Sequence, residues 1–173
     1  MIDLLSDSST KSKDKRAKII SAVCNQVISI HDLISVGSLD DKKTVIVLES
    51  IEEITRKTPE AADAACLLFA ASYISADSNA IKREASRIVG NLAHLFPEHL
   101  EPVIGKLLDN TNNVGTVVRW GSAYALGKIV QIPQFANSNL YLQVTTLSEE
   151  EKENGVKNQY LNGLKKAKKL RHD

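Results

Sequence analysis

Self-similarity at a period of about 37 to 38 residues constrains this chain more than any other feature. The stretch Ile81-Lys82-Arg83-Glu84-Ala85-Ser86-Arg87-Ile88-Val89-Gly90-Asn91-Leu92 lines up with the one that starts at Val118. Ile81 meets Val118, Lys82 meets Arg119, Val89 meets Leu126, Gly90 meets Gly127 and Leu92 meets Ile129. One period earlier, Ala85, Val89 and Leu92 meet Val47, Ile51 and Ile54. One period later, Val118, Arg119, Leu126 and Lys128 meet Val156, Lys157, Leu164 and Lys166. Pro59, Pro97 and Pro133 recur at almost the same phase, followed by Glu60, Glu98 and Gln134. Proline fits the first turn of a second helix and cannot continue the first. Each unit therefore reads as helix, tight turn, helix.

The clearest copy is Val118-Arg119-Trp120-Gly121-Ser122-Ala123-Tyr124-Ala125-Leu126-Gly127-Lys128-Ile129-Val130. Ser122, Ala125, Leu126, Ile129 and Val130 fall on one helical stripe. The small residues Gly121, Ser122, Ala123, Ala125 and Gly127 let a neighbouring helix come close. Its two glycines weaken the helix by roughly 1 kcal/mol each against Ala, so it needs packing on several sides. This segment resembles the first helix of a HEAT repeat, whose pattern is Val-Arg-x-x-Ala-Ala-x-Ala-Leu-Gly-x-Leu; Ser122 stands where the pattern has Ala. The resemblance covers about residues 41–170 and is most specific over 81–130. It implies an all-α fold: a right-handed superhelix, or solenoid, of about four HEAT-like helical hairpins. Such proteins mostly bind other proteins, and some bind nucleic acid.

The pattern predicts helices over 15–30, 41–57, 60–76, 79–95, 98–108, 115–131, 134–147 and 150–170. The whole chain, 1–173, reads as one domain. Residues 1–14 are a polar lead-in, and 15–39 are an N-terminal cap unit with a break at Gly37-Ser38. The repeats are 41–76, 79–109 and 115–147, and 150–173 form a capping helix with a basic tail. Asn137-Ser138-Asn139 threatens the continuity of 134–147.

Composition limits the function classes. A net charge of +1 supplies no global attraction to nucleic acid or membrane. No apolar run approaches the ~18 residues of a membrane span. The acidic start is unlike a signal peptide, and Cys24 and Cys66, both in apolar helical contexts, read as buried thiols in a reducing cytosol. The expected location is cytoplasmic.

No catalytic, cofactor-binding or metal-binding residue is assigned. His94 and His99 flank Pro97 and lack the shared helical face that a metal site wants. HEAT-like di-iron hydroxylases carry repeated His-Glu pairs, whereas this chain has a single reversed Glu98-His99. The sharpest candidate is Trp120 with Tyr124, four residues apart on one face. The aligned copies place Arg83 and Arg87, or Asn158 and Asn162, at these phases. An aromatic pair on an otherwise polar face has the form of a binding hot spot. Trp120, Tyr124, Arg83 and Arg87 are thus the candidate protein-binding residues, with the aromatic pair expected to point outward. Packing of that pair against 134–147 is the competing reading.

Lys82 and Arg119 share one repeat position, continued by Lys157. The HEAT resemblance implies that they form a structural ladder with the links between units, where Asp77 and Asn113 are the matching partners. In the tail, Lys165, Lys166, Lys168, Lys169 and Arg171 are candidates for phosphate contact. Lys82, Arg83, Arg87, Lys106, Arg119 and Lys128 could extend that patch. The competing reading is a solvated helix end, with Glu149, Glu150, Glu151 and Glu153 opening the same helix to complement its dipole. The function expected is a non-enzymatic protein–protein interaction module or small scaffold, with an unidentified protein partner. A nucleic-acid-binding surface like that of the HEAT-like proteins that recognise alkylated DNA is the alternative.

Overall fold

Proline and short polar residues divide the chain into helices whose buried faces are built mainly of Ala, Leu, Ile and Val. The computed structural model describes residues 2–36 and 39–171, so the break expected at Gly37-Ser38 lies outside the described residues. Among the described residues all regular structure is helical. The α-helices are α1 (Ile2–Ser6), α2 (Ser12–Cys24), α3 (Ile30–Ile34), α4 (Asp41–Lys57), α5 (Ala64–Ser72) and α6 (Asn79–Leu92). They continue with α7 (Glu101–Asp109), α8 (Thr116–Ile129), α9 (Pro133–Ala136), α10 (Asn139–Glu150) and α11 (Asn154–Ala167). None of them is long and apolar enough to cross a membrane.

The expected boundaries hold best for the first helix of each unit. The Asp40 carboxylate accepts from the Lys43 N–H and starts α4 where the pattern places it. Second helices start later than expected. Pro59 and Pro97 each open a single 3-10 turn, Pro59–Ala61 and Pro97–His99. Only then do α5, capped by Asp63 on the Cys66 N–H, and α7 begin. The segment expected over 134–147 is two helices: Ser138 leaves the helical conformation and caps α10 through the Leu140 N–H.

The lead-in is tied to α2: Leu5 is buried and its carbonyl accepts from the Lys15 ammonium. Two helix boundaries are corrected. The first long helix stops at Cys24, not Ile30; Gln26 takes a left-handed φ of 58° and turns the chain. The final helix begins at Asn154, so Glu149 and Glu150 end α10 instead of opening α11. Glu151 is extended there, with its carboxylate turned back to accept from Arg119 and from the Glu153 N–H. The acidic start invoked for the tail helix is reduced to its Glu153 cap position.

The first helices pack in chain order: α2 on α4, α4 on α6, α6 on α8, and α8 on α11. α3 packs on α5, α5 on α6, α7 on α8 and α10 on α11. The stripe Ser122, Ala125, Leu126, Ile129 and Val130 is wholly buried, as are Val118 and Ala123. α8 is therefore enclosed on several sides, and its glycines are the means. A Cβ on Gly163 would overlap the Gly127 carbonyl, so α8 and α11 touch backbone to backbone. Ser122, where the repeat pattern has Ala, is buried with its hydroxyl unpaired among the described residues. Of the two cysteines, Cys66 is buried and burial pushes its thiol up to about 12, but Cys24 is exposed at the end of α2, contrary to expectation.

Two stability outcomes follow. Leu126→Ala removes a fully buried side chain from a helix enclosed on several sides and should cost about 2–5 kcal/mol in urea unfolding. Gly163→Ala separates propensity from packing. Helix propensity alone would stabilise by roughly 1 kcal/mol. The clash with the Gly127 carbonyl should instead destabilise by about 1–3 kcal/mol, read in the same experiment.

Candidate binding surface

Trp120, Tyr124 and Lys128 recur every four residues along α8 and so share a face. The two rings stack with centroids 5.6 Å apart and planes 14° from parallel. The Arg87 guanidinium of α6 lies 5.7 Å from the Trp120 ring centre, and the Lys128 ammonium 5.5 Å from that of Tyr124. The order is cation, ring, ring, cation. Each cation–ring contact adds about 0.5–1 kcal/mol at sites of this exposure.

Both rings are half-buried, so the expectation that the pair simply points outward is corrected. Tyr124 crosses to α6. Its ring lies over Gly90, where a Cβ would come within 2.9 Å of ring carbons. Its hydroxyl donates to Asn91 Oδ1 at 2.6 Å, and Asn91 Nδ2 donates onward to Thr55 Oγ1 at 3.1 Å and to the Glu52 carbonyl at 3.3 Å. A buried polar chain thus runs α8–α6–α4. Burial, and then the Glu52 charge, raises the Tyr124 phenol above its ordinary value.

Beside Trp120 lies a groove of about 470 Å³, lined by Arg16, Glu49, Glu52, Glu53, Arg83, Glu84 and Arg87. Arg16 donates to Glu49 at 3.1 Å, and Arg83 to the buried Glu84 at 2.6 Å. Arg87 bridges Glu84 at 2.8 Å and Glu52 at 2.7 Å. Burial raises the Glu52 carboxyl against the opposing pull of Arg87. Arg83 and Arg87 are therefore at the expected surface beside Trp120, but their charges are already engaged by α4 and α6 carboxylates.

The remaining candidates divide. The Arg119 guanidinium meets Asn113 through the backbone carbonyl at 3.0 Å, and its ionic partner is Glu151, also at 3.0 Å. Lys82 forms no ion pair with Asp77 among the described residues, so the ladder is not repeated from unit to unit. In the tail, Lys165, Lys166 and Lys169 join Lys128 and Tyr124 around a groove of about 530 Å³ between α8 and α11. Arg171 leaves that group: it packs 4.1 Å from the Tyr141 ring centre and donates to the Ala136 carbonyl, anchoring the tail to α9 and α10. Lys168 is exposed and outside the groove. Lys106 donates to the Ala71 carbonyl. His94 is exposed, and His99 lies 3.5 Å from Glu98.

Asn91, Glu52 and Glu84 pair with the candidate residues without any sequence pattern marking them as a group, and Glu151 is marked only as part of a helix start. The spacing of Glu84 from Arg87 was a readable local signal. The others act across helices and carry none.

Tyr124→Phe keeps the ring stack and strips the donor from buried Asn91. The expected loss is about 1–3 kcal/mol in thermal or urea unfolding.

Comparison with protein-family models, with curated proteins and with solved structures finds no match for this chain.

Proposed function

We propose that this chain is a non-enzymatic protein-interaction module, a short right-handed superhelix of HEAT-like hairpins, whose docking surface is the first-helix face around Trp120. The row of first helices packed in chain order and the recurrent proline turns support that architecture.

The observation that carries the functional reading is Trp120 itself. Its indole is held between Arg87 and Tyr124 and packs partly on the core, yet keeps an exposed edge beside a charged groove. An aromatic ring that is already fixed loses little conformational freedom on binding, and such rings dominate interface energetics. Carboxylates and cations both line this face, which suits a polypeptide of mixed charge better than a polyphosphate.

Trp120 is the sole tryptophan, so its emission reports this surface directly. Iodide should quench it in the free protein and lose access once a partner is bound. Trp120→Arg places on α8 the residue that the preceding repeat has at this phase, Arg83. Affinity capture from the native source with the full chain should retain a defined protein, and the Trp120→Arg chain should lose it. Equal retention by the two chains, both folded by circular dichroism, would refute the proposed surface.

A further inference from the structure

Arginines and lysines are used differently on this face. Arg16, Arg83, Arg87 and Arg119 each engage a carboxylate. Lys128, Lys165, Lys166 and Lys169 engage none among the described residues, although all four line the same groove. The other residues lining it, among those described, are Tyr124, two glycines and the amides Gln131, Gln159 and Asn162; no carboxylate is there. Its sides are built by the Gly127–Gly163 contact, which draws α8 and α11 together and so brings Lys128 and the tail lysines to one place. Burial, and then the nearby Lys166 charge, lowers the Lys128 pKa. Four unneutralised ammonium groups around one concavity repel one another, and an anion entering it removes that repulsion.

We infer that the α8–α11 groove receives an acidic polypeptide segment, its side-chain carboxylates seated among Lys128, Lys165, Lys166 and Lys169. The inference rests on the reading that the adjoining Trp120 face docks a protein, and it supplies the chemistry of one part of that partner. The ligand is a short peptide anion rather than a nucleic acid because the cationic track ends at Tyr124. Beyond the ring stack the surface carries Glu49, Glu52, Glu53 and Glu84. The arginines among them are already paired. Lys106 and Arg119, which would have to lengthen a phosphate track, are held by Ala71 and Glu151. Polynucleotide affinity grows with the number of phosphates neutralised, and this cluster is too short to sustain it. A peptide segment needs only the local site and continues over Tyr124 to the indole.

The probe is fluorescein-labelled octaglutamate, titrated with the full chain at low salt and followed by anisotropy. An oligothymidylate of equal charge is the comparison. Wild type should bind octaglutamate, with affinity falling as salt rises. The combined variant Lys165→Gln, Lys166→Gln and Lys169→Gln should bind it roughly tenfold more weakly. Lys168→Gln, outside the groove, should match wild type. All three replaced side chains are exposed, so the variant keeps its fold, which circular dichroism checks. Absent binding by wild type, or equal binding by the triple variant, would overturn the inference. So would tighter binding of oligothymidylate that strengthens with its length. If octaglutamate fails while Trp120→Arg still abolishes partner capture, the groove assignment alone falls. If capture survives Trp120→Arg, the docking reading falls.

Discussion

Close approach of the first helices is the constraint on which the rest of this structure depends. Gly121 sits against the Arg83 backbone, and Gly127 against Gln159 and Gly163. At such distances polar side chains on one helix reach the next directly, and α8 meets both neighbours along its length. The cost is the weak intrinsic helicity of a glycine-containing segment, offset by burial on several sides. The same spacing produces both surface features: Tyr124 crossing to Asn91, and Lys128 meeting the lysines of α11.

The buried polar groups between α4, α6 and α8 have a role that apolar packing would not fill. The chain from Tyr124 through Asn91 to Thr55, and the cluster of Glu52, Glu84 and Arg87, each join successive units. Buried ion pairs contribute little net stability, since desolvation offsets their attraction. Their effect here is geometric. The Arg87–Glu52 pair fixes α6 against α4, the Tyr124–Asn91 bond fixes α8 against α6, and the register they share holds Trp120 between Arg87 and Tyr124. The face proposed for docking is held by the core beneath it.

The division of labour between arginine and lysine has the same origin. A planar guanidinium can bridge two carboxylates, as Arg87 does between Glu52 and Glu84. Lysine, a point charge on a flexible stem, lines the groove where a ligand of variable geometry would enter. The surface is thus polarised along the row, internally paired around α4 and α6 and cationic at α8–α11.

Periodicity alone determined the all-helical class, the first helices of the units, the proline turns and the stripe from Ser122 to Val130. These depend on residues near in sequence, where helical phase and the missing N–H of proline act locally. Tertiary structure decided the rest. The polar phases occupied by Arg83 and Arg87 promised exposed positions, yet the pairing carboxylates Glu49 and Glu52 come from the preceding unit. Glu151 has the sequence context of a helix start, but Arg119, 32 residues away on α8, takes its carboxylate. Trp120 is half-buried because Arg87 approaches from α6, and Tyr124 because Gly90 leaves room there. The basic tail became a groove only when Gly127 and Gly163 brought α8 to α11. Each of these contacts joins residues about one repeat apart, and a repeating sequence states which positions are equivalent without stating which of them touch.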